Sequence, residues 1–359
     1  MSNLFDPITI GAIALKNRIV MAPLTRNRAD NGCASALMVE YYKQRASAGL
    51  IIAEASPISP MAVGYLNTPG IWSSEQVTGW RHVTDAVHAA GGRMVLQLWH
   101  VGRISHNSLL PGGAQPVSST DQRPNAMTYT AGGFEPVSAP RALRDDEIPA
   151  LIEDYRKAAR NAIEAGFDGV EIHGANTYLL EQFLRDSVND RTGSYGGSIE
   201  HRVRLLLEVV RAVSEVVGAG RVGVRLSPMT TFGNTTARDS NPQPLYGYVV
   251  EQLAPLGLAY LHVIEGETGG TRAPEGGAFD YAALRQKFPG AWMVNNCFTR
   301  EDAIAEVASG KADLVAFGRP FISTPDLVRR LKDDLPFNEL RADKLYGGGA
   351  EGYIDYPVL

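Results

Sequence analysis

Eight times along the chain a short apolar, β-rich run is followed by a longer stretch of helical period. That alternation confines the fold more tightly than any other feature of the sequence. The runs predict strands over Arg18–Thr25, Leu50–Ser56, Met94–Trp99, Gly169–His173, Val222–Ser227, Ala259–Ile264, Trp292–Asn295 and Leu314–Gly318. The stretches between and after them predict helices over Leu37–Ala48, Ser74–Ala90, Glu147–Ala165, Ile199–Val217, Leu245–Leu256, Asp280–Phe288, Arg300–Ser309 and Pro325–Lys332. Ile199, Val203, Leu206, Leu207 and Val210 show the apolar spacing of an amphipathic helix. Near-continuous apolar strands suit parallel strands covered by helices on both faces. Eight such units favour closure into an α/β (β/α)8 TIM barrel over an open doubly wound sheet, and no GxGxxG follows the first strand to argue otherwise.

Two additions depart from a minimal barrel. Residues 101–146, dense in Pro, Gly, Ser and Thr, form a long excursion after the third strand that reads as a lid or binding loop. A C-terminal tail follows the last helix, with Tyr346-Gly347-Gly348-Gly349 near its start and Tyr353-Ile354-Asp355-Tyr356-Pro357 near its end. No repeat or linker-like composition divides residues 1–359, so one domain is expected. A net charge of −5, from 34 Lys+Arg against 39 Asp+Glu, leaves no basic footprint for nucleic acid or a membrane surface. No apolar run approaches the ~18 residues of a membrane span. Cys33 and Cys297 are the only cysteines, which excludes a disulfide framework and a four-cysteine metal site. The expectation is a reduced, cytoplasmic, soluble protein.

In a barrel the chemistry sits at the carboxyl ends of the strands. No lysine falls at those addresses, which argues against Schiff-base aldolase chemistry. Only His100 and His173 are placed to ligate a metal, with His262 expected to be buried mid-strand, so no metal is expected. Glu54 and Glu265 are the one carboxyl pair a glycosidase could use across the mouth. Amides, hydroxyls and guanidinium groups dominate instead, a set better suited to holding a ready-made cofactor.

Three constellations stand out. Gly318-Arg319, with Asn295, Asn296 and Cys297 opposite, can offer backbone N–H groups and a guanidinium to a phosphate; the alternative is an arginine capping the barrel end. His173 and Asn176 on one turn can both donate to a single acceptor oxygen, with Tyr178 placed to deliver a proton. The alternative there is a polar turn whose histidine is satisfied by backbone. Thr25, Gln97 and Arg225, from three strands, can hydrogen-bond the edge of a heteroaromatic ring, or can form an ordinary interior network.

With these residues assembled, the chain resembles the Old Yellow Enzyme family of FMN-dependent ene-reductases, most of all its bacterial branch of N-ethylmaleimide, pentaerythritol tetranitrate and glycerol trinitrate reductases. The likeness runs from Leu4-Phe5-Asp6-Pro7 to Tyr353-Ile354-Asp355-Tyr356-Pro357. Its most specific segments are Ala22-Pro23-Leu24-Thr25-Arg26, Gln97-Leu98-Trp99-His100, His173-Gly174-Ala175-Asn176-Thr177-Tyr178 and Phe317-Gly318-Arg319-Pro320-Phe321, together with Asp190 through Ser198.

The resemblance implies a tightly but non-covalently bound FMN lined by Pro23, Thr25, Ala55 and Gln97. It implies Arg225 at the N1–C2 edge of the ring, and Arg319 with backbone of Asn296, Cys297 and Gly318 at the phosphate. His173 and Asn176 would bind a substrate oxygen and Tyr178 would be the proton donor. NAD(P)H would be the co-substrate of a ping-pong reaction that reduces enones, nitro compounds or maleimides. Nitrate-ester or nitroaromatic reduction, and non-catalytic FMN binding, are the alternative functions. Trp99 is expected to shape the pocket beside Thr25, or simply to pack. Tyr65 and Tyr353 are expected to narrow the entrance, or to be surface tyrosines. A monomer or weak oligomer is expected. Thr25 excludes the branch with a redox-tuning cysteine at that position. Asn295-Asn296 stands where relatives often carry glycine, a substitution eased by asparagine's tolerance of left-handed backbone.

Overall fold

A computed structural model describes residues 2–273 and 279–359. Its centre is a closed barrel of eight parallel strands. These are β1 (Ile19–Met21), β2 (Leu50–Pro57), β3 (Met94–Trp99), β4 (Gly169–Gly174), β5 (Val222–Leu226), β6 (Tyr260–Ile264), β7 (Ala291–Asn295) and β8 (Leu314–Phe317). The ring closes where Val315 to Phe317 pair with Ile19 to Met21. The α/β TIM barrel expected from the alternation is the observed fold.

Eight helices follow the strands in turn: α1 (Ala36–Gln44), α2 (Ser74–Ala89), α3 (Ile148–Glu164), α4 (Ile199–Val217), α5 (Pro242–Leu253), α6 (Tyr281–Lys287), α7 (Arg300–Ala308) and α8 (Leu327–Asp333). Strand alternation sorts the apolar residues into two sets. Ile51, Leu96, Ile172, Val224, Val263 and Val315 face outward and join one core with the helices. Val20, Ile52, Val95, Met293 and Leu314 face inward. A hairpin of Ile8–Ile10 and Ile13–Leu15 packs Ile10, Ile13 and Leu15 against that inner set. One end of the barrel is thereby filled with apolar side chains.

The boundaries differ from expectation where local chemistry intervenes. The first strand ends at Met21, not Thr25: Ala22 still donates to the Phe317 carbonyl at 3.0 Å, but Pro23 has no N–H with which to continue the ladder. Pro23, Leu24 and Thr25 therefore lie on the loop at the mouth. The first helix stops at Gln44 instead of Ala48, its chain tightening through Arg45 and Ala46 into short-range turns. The fifth helix begins at Pro242, ahead of Leu245, because proline is well suited to a first helical turn. The excursion carries an antiparallel hairpin (Met127–Thr130 with Gly133–Pro136) and a parallel pair, Val117–Ser118 with Arg141–Ala142. Among the described residues no helix is long and apolar enough to cross a membrane.

Candidate active site

Strand β4 ends in a turn whose backbone is left-handed at two successive non-glycine residues, Asn176 (φ 55°) and Thr177 (φ 66°). Such a conformation persists only where the surroundings over-determine it. Here the Thr177 N–H donates to the Glu181 carboxylate at 2.6 Å, and the Asn176 N–H to the Ser227 hydroxyl at 2.8 Å. Ser227 and Tyr246 donate in turn to Glu181, at 2.7 and 2.9 Å, and Arg185 pairs with it at 2.9 Å. Every member of this network is buried.

The turn presents two donors. The Asn176 side-chain oxygen accepts from the Thr268 hydroxyl at 2.7 Å, which leaves its Nδ2 group as a donor. His173 is buried, and its Nδ1 has no hydrogen-bond partner among the described residues. Burial, reinforced by the positive field of Arg225 and by His262, holds the His173 pKa well below the usual histidine range, so the ring is neutral.

Beside them the Tyr178 hydroxyl lies 3.2 Å from that of Tyr65. Burial first, and the neighbouring phenol second, push Tyr178 well above the ordinary tyrosine value and keep its proton in place. Tyr65 is pushed up to about 12, mainly by burial. Trp99 forms the wall behind both, stacked on Tyr65 (centroids 5.6 Å apart) and edge-on to Tyr178 (4.9 Å). Ala55 completes this apolar cluster, and Ala126, just before the excursion's hairpin, packs against it.

Gln97 and Arg225 project into the same end of the barrel. Gln97 donates to Glu171 at 2.7 Å, and Arg225 donates from one Nη to Asn295 at 2.8 Å while its Nε has no partner among the described residues. A buried guanidinium edge without an acceptor fits a ligand that brings its own. Across the mouth, Asn296 (φ 112°) and Cys297 (φ 50°) also adopt left-handed backbone, in line with asparagine's tolerance of that region. The Asn296 amide bridges the carbonyls of Glu265 and Glu267, both at 2.7 Å, and accepts from the Gly269 N–H. Gly318 opens the short helix Arg319–Ser323. The Arg319 guanidinium lies so close to Gly269 that an added Cβ there would come within 3.3 Å of it. Unpartnered buried donors on one side and a guanidinium with free loop backbone on the other fit an acceptor-edged heteroaromatic ring carrying a phosphate, as FMN does.

Two expectations are corrected. Tyr353 does not narrow the entrance: it is 0% exposed and stacks flat on Tyr41, with centroids 4.0 Å apart, behind the barrel wall. The tail tyrosine at the mouth is Tyr346, 61% exposed, whose phenol raises the pKa of both Tyr65 and Tyr178. Gly347 (φ 66°) and Gly348 (φ 80°) reverse the chain just after it. That glycine run was the signal for Tyr346. Glu54 likewise leaves the mouth. Strand β2 slips register between Ala53 and Ser56, and Glu54 meets the Tyr42 hydroxyl on α1 at 3.2 Å. The irregularity removes the across-the-mouth carboxyl pair that glycoside hydrolysis would need.

His100 accepts from the Gly102 N–H at 3.0 Å, and burial lowers it to about 3. Among the described residues no three His, Cys, Asp or Glu side chains gather as a metal would require.

Residues 3–338 match the family described as NADH:flavin oxidoreductase / NADH oxidase. Among curated proteins, 12-oxophytodienoate reductase 1 of Oryza sativa subsp. japonica is 46% identical over 359 residues, covering 99% of this chain and 93% of its own. Among solved structures, morphinone reductase in complex with tetrahydroNAD superposes with a TM-score of 0.93 at 46% identity, over 100% of this chain and 98% of that one. The old yellow enzyme homologue from Zymomonas mobilis gives 0.96 at 44% identity, over 100% of both chains.

Proposed function

The chain belongs to the NADH:flavin oxidoreductase / NADH oxidase family, and from that premise we propose that it reduces the activated C=C bond of α,β-unsaturated carbonyl compounds. It is an FMN-dependent oxidoreductase of Old Yellow Enzyme type that draws its electrons from a nicotinamide coenzyme. Pro23, Thr25, Ala55, Gln97 and Arg225 would hold the ring of FMN, and Arg319 with the backbone of Asn296, Cys297 and Gly318 its phosphate. Bound there, FMN supplies hydride transfer from the nicotinamide to the β-carbon of the enone.

The remaining steps fall to the chain itself. The neutral His173 ring and the Asn176 Nδ2 group donate to the carbonyl oxygen, where negative charge develops as the β-carbon accepts hydride. Both donors are buried, and Asn176 is held in place by Thr268 and Ser227, so little reorganisation is needed at that moment. Tyr178 delivers its proton to the α-carbon, and its raised pKa keeps the proton available throughout the neutral range. Trp99 and Tyr65 exclude water from that transfer. The same clamp would serve any acceptor oxygen within reach of His173 and Asn176, so nitro compounds and maleimides would be further substrates, and with one pocket for coenzyme and substrate the kinetics would be ping-pong. Both cysteines are free thiols, which suits a cytoplasmic enzyme of small molecules.

The observation that carries this reading is the direction of the Asn176 amide, set by Thr268 so that a donor and not an acceptor is left beside His173. Tyr178→Phe tests it: single-turnover reduction of 2-cyclohexenone should slow by about 10²-fold or more, while anaerobic oxidation of the coenzyme keeps its rate. Unchanged enone reduction would remove Tyr178 from the chemistry.

A further inference from the structure

The interior of a (β/α)8 barrel is ordinarily filled by layers of branched apolar side chains. Just below the mouth this barrel buries a carboxylate instead. Glu171 stands two residues before His173 on β4, on the same inward face, and is fully enclosed. One of its oxygens accepts from Gln97 at 2.7 Å, its register partner on β3, and the other contacts His262 Nδ1 at 2.8 Å. Arg225, register partner of both His173 and His262, completes the layer. The Tyr260 ring packs against Gly223 on the neighbouring strand, where a Cβ would come within 2.2 Å of it.

Burial alone would drive the Glu171 pKa upward, yet the net direction is downward, because His262, Arg225 and Gln97 all favour the ionised form. The layer therefore sets an ionised carboxylate beside the Arg225 guanidinium. A buried charge of this kind is weak as a stabilising device, since apolar residues of equal volume serve stability as well or better. Its partners point elsewhere. Two of them, Gln97 and Arg225, are the residues assigned above to the flavin ring, and the inference rests on that assignment.

We propose that Glu171 is a positioning residue for the cofactor: it fixes the Gln97 amide and, through its charge beneath Gln97 and Arg225, lowers the reduction potential of the bound FMN. Taking up electrons adds negative charge above a carboxylate that cannot move away. The same carboxylate offsets part of the field of Arg225, which alone would raise the potential. Electrons then leave for the enone more readily than they would over an apolar layer.

The test is the midpoint potential of FMN in the holoenzyme, by equilibration with a reference dye, for the parent and three variants. Glu171→Gln keeps length and hydrogen-bonding capacity and removes the charge. It should shift the ratio of reduced to oxidised flavin at a given potential at least tenfold toward reduced, a rise of about 30 mV for a two-electron couple. Glu171→Met removes the same charge and should raise the potential likewise, and it serves if the glutamine variant does not fold. Glu171→Asp retains the charge and should stay near the parent. A merely structural glutamate would lower the melting temperature in all three and move the potential in none, which would overturn the proposal. A parent protein that takes up no FMN would overturn the site assignment and this inference with it. A parent that holds FMN at a potential unmoved by Glu171→Gln overturns the inference alone.

Discussion

The layer inside the barrel mouth and the pocket behind β2 each bury arginine beside a carboxyl, and they treat their arginines in opposite ways. Behind β2, Arg45 donates through Nε to the Phe321 carbonyl (2.7 Å), through Nη1 to Tyr41 (2.7 Å) and through Nη2 to Ile322 (2.8 Å), with Tyr41 beneath it, its centroid 3.7 Å away. Arg26 likewise reaches the Leu345 and Gly352 carbonyls at 2.8 and 2.9 Å, tying down the tail that carries Tyr346. Inside the barrel, the Arg225 side chain has a single hydrogen-bond partner among the described residues, and the Nδ1 of His173 has none. At the barrel mouth, where Arg225 Nε and His173 Nδ1 lie together without partners, a ligand can supply them, while the fully engaged Arg45 belongs to the scaffold. The two carboxyls reverse the pattern. The interior Glu171 is held ionised by direct partners, whereas Glu54 meets the Tyr42 hydroxyl and an Arg26 N–H at 3.5 Å, and burial lifts it to about 7.

The contrast breaks if exchanging the two arginines' roles in stability and binding proves possible. Arg45→Met would strand the carbonyls of Tyr41, Phe321 and Ile322 in the interior, and should lower stability by about 3–4 kcal/mol, read from urea unfolding with the slope unchanged. Arg225→Met should cost less stability in the absence of FMN than Arg45→Met, about 1–2 kcal/mol, since it removes a desolvated charge with one hydrogen bond along with an attraction that helps keep Glu171 ionised. Its FMN dissociation constant should instead rise about 10- to 100-fold, as expected for a lost hydrogen bond from a charged group. A large stability loss at Arg225, with FMN affinity intact, would make the interior layer scaffold after all.

The same contrast explains what could be read from the sequence. Each barrel strand and its helix announce themselves through local period, and His173, Asn176 and Tyr178 share one short turn. Their supports lie far away along the chain: Ser227 is 51 residues from Asn176 and Thr268 is 92. No pattern within a strand reveals that the Asn176 amide is oriented from β6's following loop, or that Glu171 will face Gln97 across 74 residues. Glu54 misled for a related reason. Strict alternation from Leu50 and Ile52 points it inward, and only the irregularity between Ala53 and Ser56, invisible in an unbroken apolar run, turns it toward α1. Sequence alone does not tell which tail tyrosine reaches the mouth, because the path of this aromatic, glycine-rich tail is set by Arg26 and Arg28, more than 300 positions away.

Glu54 offers the finest probe of the difference, because its partners are too few to keep it ionised. The folded chain holds the Glu54 proton up to about pH 7, while an unfolded chain releases it near the ordinary value of 4.5. Between those limits the folded state binds more protons, so this residue's contribution falls as pH rises through the window and is flat on either side. Glu54→Gln keeps an acceptor for the Tyr42 hydroxyl and removes the ionisation. Its stability advantage over the parent should therefore be near zero at pH 4.5, grow through pH 6, and level off above pH 7 at about 3 kcal/mol. Melting temperatures of parent and variant at five pH values across that range would show the divergence. Parallel curves would mean that Glu54 is as well paired as Glu171, and that the pocket behind β2 and the barrel interior handle buried charge alike.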